Sequence, residues 1–284
     1  MPELPDLVHI EAKLQEALVG HRIVGARTGD PLVLRIMTRA PFPDLLAGRI
    51  VRQVVRRGQF ICIDLDDDLL IVVNLMLAGR FSLVPAGDAK LPKALALAMA
   101  MDDQRELRIV DDKRMAKVYV APRDQVAAIP VLGKLGVEIL SPQFTRERFG
   151  AIIAKRRDQV RQFLMDKQAL ASVGNAYADE ILFAARLHPK TFCPKLTPEE
   201  IDRLYQATGQ VMRDAVAEIA RRDPPIETKL RDFLAVRGRD GKPCKVCGTT
   251  IRAVRVGDGD ACFCPQCQPT GRKLFVDFSK LPKG

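Results

Sequence analysis

The sequence predicts an α+β protein in two parts: a β-rich N-terminal half and an α-rich C-terminal half that closes on a cysteine module. Three observations predict it. Between His21 and about Val120 apolar residues recur with period two in short segments, and after a stretch containing Pro and Gly the period becomes helical. Five of the seven cysteines, Cys244, Cys247, Cys262, Cys264 and Cys267, then fall together near the C-terminus, apart from Cys62 and Cys193. A length of 284 residues makes two domains the natural expectation, and 47% hydrophobic residues supply core for both.

The elements follow in order. Leu7, Ile10, Leu14 and Leu18 recur at helical spacing, with Asp6 placed to cap the helix and Gly20 to stop it. Eight strands are expected at Arg22–Thr28, Leu32–Met37, Arg49–Val55, Gln59–Leu65, Leu69–Asn74, Arg80–Val84, Arg105–Val110 and Lys117–Val120, a number and spacing that fit a sandwich or a barrel. Asp64, Asp66, Asp67 and Asp68 lack the Gly and distal Glu of a calcium loop and read as a solvated hairpin turn. Residues 131–147 read as a hinge. Helices are expected at Thr145–Lys155, Asp158–Met165, Tyr177–Ala185, Pro198–Arg221 and, briefly, Thr228–Leu234, with Gly174-Asn175 breaking the run between the second and third. The expected domains are therefore residues 1–130, a helical domain 148–235, a cysteine module 236–268 and a tail 269–284. Leu274, Phe275, Val276, Phe278 and Leu281 make that tail too apolar for a simple linker.

Charge narrows the function. Lys and Arg outnumber Asp and Glu by 45 to 35, for a net charge of +10, which favours a polyanionic partner, nucleic acid being the usual one. A mildly basic enzyme with no such partner is the alternative. No apolar run approaches the roughly 18–20 residues that span a bilayer, and the N-terminus lacks the apolar core of a signal peptide, so the protein reads as cytosolic.

Three motifs carry chemistry. Cys244-x2-Cys247-x16-Cys264-x2-Cys267 brings four thiolates into a tetrahedron suited to one structural zinc, with no open coordination position. Around it lie Arg237, Arg239, Lys242, Lys245, Arg252 and Arg255, which read as phosphate contacts or as a solvated basic face. At the other end, Pro2 follows the initiator Met1. Once Met1 is removed, Pro2 carries a secondary amine with a reference pKa of about 7.7–8.0, able to attack a carbon and form an iminium. Glu3 stands beside it to give or take a proton. A stiff N-terminal arm would look the same. Gly174-Asn175 offers an amide and backbone N–H groups at a helix start, a phosphate site or an ordinary corner between helices.

The start Pro2-Glu3-Leu4-Pro5, the run Phe163-Leu164-Met165-Asp166, the run Val173-Gly174-Asn175-Ala176-Tyr177-Ala178-Asp179-Glu180, His188-Pro189 and the module opened by Gly238-Arg239-Asp240-Gly241-Lys242-Pro243-Cys244 together resemble the formamidopyrimidine-DNA glycosylase/endonuclease VIII family. The resemblance covers almost the whole chain, in order. It implies an N-terminal β-sandwich, a helix-two-turn-helix domain with a zinc finger, and damaged double-stranded DNA clamped between the two. It implies a bifunctional DNA glycosylase and abasic-site lyase, working as a monomer in the bacterial cytosol. Pro2 would attack C1′ of a flipped-out nucleotide, Glu3 would protonate the sugar ring oxygen, and Asn175 would hold a phosphate. Asp6 and Glu180 are weaker candidates for the base pocket.

The sequence departs from the family pattern at several points. Where the family has Lys after Arg-Arg-Gly, this chain reads Arg56-Arg57-Gly58-Gln59, and the finger position usually held by Arg corresponds to Gly259, with Arg255 as the nearest substitute. The residues that fill the void left by the flipped base correspond to Leu77, Lys113 and Met115. Leu230-Arg231-Asp232-Phe233 runs almost directly into Val236-Arg237-Gly238-Arg239, without the loop that covers an oxidised purine, which argues against 8-oxoguanine as preferred substrate. Each missing phosphate cation forgoes about 1.5–3 kcal/mol. A structure-specific DNA-binding protein that does not cut is therefore the rival reading, and the retention of both Pro2 and Glu3 favours the enzyme.

Overall fold

The computed structural model describes residues 1–38, 42, 44–87 and 92–270. The apolar tail residues from Leu274 to Leu281 lie outside them. By its own contacts the chain divides into two compact units, Met1–Lys134 with Val216–Lys229, and Leu135–Ala215 with the residues from Leu230 onward.

The first unit opens with helix α1, Leu4–Leu18. It begins three residues before the start expected from Asp6 as cap. Glu3 occupies the N-cap, its carboxylate facing the Asp6 N–H while Asp6 accepts the Glu3 N–H at 2.8 Å, so that Asp6 caps reciprocally from inside the first turn. Pro5 at the helix start loses no hydrogen bond there. Among the described residues nine strands follow: β1 Ile23–Thr28, β2 Leu34–Ile36, β3 Val51–Arg57, β4 Phe60–Leu65, β5 Leu69–Asn74, β6 Arg80–Pro85, β7 Leu95–Met101, β8 Arg105–Val110 and β9 Lys117–Pro122. They form a four-stranded sheet ordered β1-β7-β8-β6 and a five-stranded sheet ordered β2-β9-β5-β4-β3. Leu97, Met99, Leu107 and Ile109 from the first, Ile61, Ile71, Val73, Val118 and Val120 from the second, and Leu7, Ile10 and Leu14 of α1 share one core, which makes the unit a β-sandwich with a helix packed on it.

Two strand expectations needed correction. β7 was not expected, because Leu95-Ala96-Leu97-Ala98-Met99-Ala100-Met101 is built from the best helix formers and has no β-branched residue. Pairing on both sides, with β1 and β8, overrides that preference. The strand expected at Leu32–Met37 is partly a 3-10 turn, Pro31–Val33, because the Asp30 carboxylate takes the Leu32 N–H at 3.0 Å and Pro31 starts the turn. The acidic residues Asp66, Asp67 and Asp68 do form a tight turn between β4 and β5, with positive φ at Asp67 and Asp68, whereas Asp64 is not part of it: it is buried in β4 and paired with Arg123 at 3.1 Å.

The second unit holds α2 Arg146–Ile153, α3 Val160–Met165, α4 Asn175–Ala184, the first part of α5 Pro198–Arg222, and a hairpin of β10 Arg252–Val256 and β11 Gly259–Phe263. Thr145 caps α2 by accepting the Arg148 N–H at 3.2 Å. The short helix expected at Thr228–Leu234 is absent. Its backbone is satisfied from outside: Lys245 Nζ donates to the carbonyls of Phe233 and Leu234 at 3.1 and 3.0 Å, and the Arg231 guanidinium lies 5.4 Å from the centre of the Tyr177 ring. A segment of this length cannot repay helix nucleation against such partners.

Gly136 fixes how the stretch before α2 meets the turn between α3 and α4. A Cβ there would lie 2.3 Å from the backbone carbon and oxygen of Ala169 and 2.6 Å from the Gln168 oxygen, and the Gly136 N–H donates to Lys167 O at 2.8 Å. Only a residue without a side chain allows that approach. Gly136→Ala is expected to cost about 1–3 kcal/mol, read as a lowered denaturation midpoint in urea.

Candidate nucleic-acid and metal sites

In the first unit the register of three strands gathers the expected residues. Phe60 pairs with Asn74, and Asn74 with Lys117. The residues before β4, after β5 and before β9 therefore leave the sheet at one end, and these carry Arg57 and Gln59, Leu77, and Lys113 and Met115. Helix α1 delivers its N-terminus to the same end. Val54 N–H donates to Gln15 Oε1 and Arg56 N–H to Glu11 Oε1, both at 2.7 Å, so β3 climbs toward the start of the helix as it approaches Arg57. The Met1 ammonium donates to Leu77 O at 3.0 Å, which places Pro2 and Glu3 against the loop carrying Leu77. Pro2 and Glu3 are buried, whereas Leu77 and Met115 are 52% and 38% exposed.

Both loops are held by buried polar side chains. Asn74 Oδ1 accepts the Met76 N–H at 3.0 Å and thereby supports the positive φ at Met76. Buried Asp111 accepts the N–H groups of Lys113, Met115 and Ala116 at 3.0, 2.6 and 2.5 Å. The apolar tips are thus presented on stiff turns.

In the second unit four thiols converge. The sulfurs of Cys244, Cys247, Cys264 and Cys267 all lie within 4.8 Å of one another, with Cys247 to Cys264 at 3.5 Å, Cys247 to Cys267 at 3.6 Å and Cys244 to Cys267 at 4.0 Å. A tetrahedron of Zn–S bonds about 2.3 Å long has edges of about 3.8 Å, so the donor set fits one structural zinc. Cys262 is not part of it; its N–H donates to Asp179 Oδ2 at 2.9 Å.

Asp179 is wholly buried and organises what surrounds the finger. It accepts Arg161 Nε at 2.8 Å on one oxygen, and Arg237 Nη1 at 2.9 Å with the Cys262 N–H on the other. Arg237 and Arg161 also donate to Asp260 O, at 2.7 and 3.2 Å. Glu180 takes the N–H groups of Ala235, Val236 and Arg237 at 2.7–2.9 Å. Burial raises its pKa, against those three bonds. Arg237, Lys245 and Glu180 therefore hold the finger in place. Arg255 is exposed, 3.7 Å from Asp260 Oδ1. Asn175, the first residue of α4, is exposed beside Gly259, whose Cβ position lies 3.5 Å from Asn175 Oδ1. Sequence reasoning did not single out Arg161 or Asp179. Their one signal was a charged residue at an apolar position of each helix, which becomes meaningful only when the two are paired.

Among the described residues no helix is long and apolar enough to cross a membrane.

Residues 1–118 match the formamidopyrimidine-DNA glycosylase N-terminal domain, residues 135–222 the formamidopyrimidine-DNA glycosylase H2TH domain, and residues 241–270 the zinc finger found in FPG and IleRS. The chain is 32% identical over 274 residues to a formamidopyrimidine-DNA glycosylase of Listeria innocua, covering 94% of this chain and all of that one. It is 34% identical over 268 residues to that of Moorella thermoacetica, covering 90% and 95%. The fold is that of the Lactococcus lactis protein solved with abasic-site DNA, with a TM-score of 0.84 at 24% identity, covering 95% of this chain and all of that one.

Replacing buried Asp179 leaves two guanidiniums without their shared partner. Asp179→Ala is expected to destabilise the second unit by about 3–5 kcal/mol, measured by urea unfolding followed by circular dichroism, with faster hydrogen exchange at the Cys262 amide.

Proposed function

Because the chain belongs to the formamidopyrimidine-DNA glycosylase family, we propose that it excises damaged bases from duplex DNA and cleaves the resulting abasic site, with Pro2 as nucleophile and Glu3 as acid. The observation that carries this reading is the gathering of Pro2 and Glu3 with the loops of Leu77, Lys113 and Met115 at one end of the five-stranded sheet. A nucleophile acting on a sugar needs the nucleotide out of the helix, and exposed apolar tips on stiff turns fill the space it vacates.

The chemistry requires Met1 to be removed, because only then is the Pro2 nitrogen a secondary amine. Its lone pair attacks C1′ as Glu3 gives a proton to the sugar ring oxygen, and the base departs with the electrons of its bond to C1′. Loss of the proton on nitrogen to solvent and opening of the ring leave an iminium at C1′. This cation acidifies the C2′ hydrogen, whose removal expels the 3′ phosphate, and a second elimination expels the 5′ phosphate. Hydrolysis then frees Pro2. We assign Arg57, Gln59, Asn175 and Arg255 to the DNA backbone, and residues 1–130, 148–235 and 236–268 as the catalytic domain, the helical domain and the finger, joined by a hinge at 131–147.

The segment from Arg231 to Arg237 bears on the lesion. The Glu180 carboxylate ties Ala235, Val236 and Arg237 directly to α4, which supports reading this connection as too short to cover a flipped purine. We assign oxidised pyrimidines, hydantoins, abasic sites or bulkier adducts rather than 8-oxoguanine. A binder that does not cut is the second reading, favoured by Gln59 and Gly259, where the family pattern has cations.

Borohydride trapping on an abasic duplex separates the two readings. Protein freed of Met1, as verified by mass, is expected to give a covalent complex that Pro2→Gly abolishes, and Glu3→Gln is expected to lose base excision from a panel of damaged duplexes. Tight binding with no trapped species would establish the binder.

A further inference from the structure

The finger position where the family resemblance expects an arginine is Gly259, and the structure shows what faces the gap. A Cβ there would lie 3.5 Å from Asn175 Oδ1 and 3.9 Å from Arg161 Nη1. Arg161, on α3, is only 2% exposed. Its Nε is bound to Asp179 and its Nη2 to Asn175 Oδ1 and Asp260 O, while Nη1 has no hydrogen-bond acceptor among the described residues. Nη1 is not sealed in with the rest of the guanidinium: it reaches solvent at the opening over Gly259, where an anion can take the place of water.

Two further features define that anion. Arg161 and Arg237 share the single carboxylate of Asp179, and exposed Arg255 lies 3.7 Å from Asp260 Oδ1. Arg161 meets Asn175 at the start of α4, where the helix dipole favours an anion. Arg161 also orients Asn175. Because the guanidinium occupies Oδ1, the amide NH2 of this exposed side chain is left as a second donor.

We propose that Arg161 supplies the cation that Gly259 lacks, reaching a DNA phosphate held at Asn175 through Nη1 and the opening over the glycine. This rests on the reading of Asn175 as a DNA-phosphate ligand. A side chain at residue 259 would stand between the guanidinium and the DNA, so the glycine is part of the device.

The test is binding to a duplex bearing a tetrahydrofuran abasic analogue over a range of salt. Wild type is compared with Arg161→Gln and with Arg161→Lys, which keeps a charge on Asp179 but not the fork. Zinc content and melting temperature report whether the finger remains folded. In variants that retain zinc, the slope of log affinity against log salt is expected to fall by about 0.9, one phosphate contact, with affinity lowered about tenfold. Adding Gly259→Arg is expected to restore both. An unchanged slope in a zinc-retaining variant would overturn the assignment. So would a fall that Gly259→Arg leaves unrepaired, since Arg161 would then act only by holding the hairpin. A wild-type protein with no measurable affinity for the duplex would instead refute the DNA-binding reading on which the assignment rests.

Discussion

The second unit depends on one buried carboxylate. Asp179 stands on α4, and through it Arg161 from α3, Arg237 from the approach to the finger and the backbone of β11 meet at a single point. Zinc closes the finger on itself, but zinc alone does not say where the finger sits. That is set by Asp179 together with Glu180 on the next residue of the same helix, one binding the far strand of the hairpin and the other the chain that leads into it. Hydrogen bonds to a charged partner are each worth about 1.5–3 kcal/mol, so two adjacent acids provide orientation that an apolar contact, free to slide, would not.

The first unit uses a different principle to the same end. Nothing covalent links the α1 terminus to the loops after β5 and before β9, and they are far apart in sequence. Strand register brings them together, since Phe60, Asn74 and Lys117 lie abreast across three strands. A slip of one residue would turn every side chain of a strand to the other face, and in β4 and β5 it would carry buried Asp64 and Asn74 away from Arg123 and the Met76 N–H. Core packing thus sets the geometry of a surface composed of exposed side chains.

Legibility in the sequence followed the range of the interaction. Local signals were read correctly: the break at Gly174-Asn175, the acidic turn after β4 and the paired CxxC knuckles. Elements decided by tertiary partners were not. β7 carries a helix former's composition and is a strand because two neighbours claim it. Thr228–Leu234 has a helical pattern and is irregular because Lys245 satisfies its carbonyls. Arg161 and Asp179 are 18 residues apart on different helices, and no spacing announces that they meet. The basic residues around the finger divide in the same way: composition identified them as a group, but only partners separate Arg237 and Lys245, which are committed to the protein, from Arg255, which is exposed.

Chain ends are ordinarily where a fold tolerates change, and this one is the opposite. Met1 is bonded to the loop of Leu77, Pro2 and Glu3 are buried, and Leu4 and Leu7 are already core. The first residues are as constrained as the middle of a strand. An affinity tag or fusion partner placed before Pro2 would have to thread out beside Leu77, and a circular permutation joining the old ends would convert the terminal nitrogen into an ordinary peptide link. The same core that fixes the sheet therefore fixes the first turn of the chain.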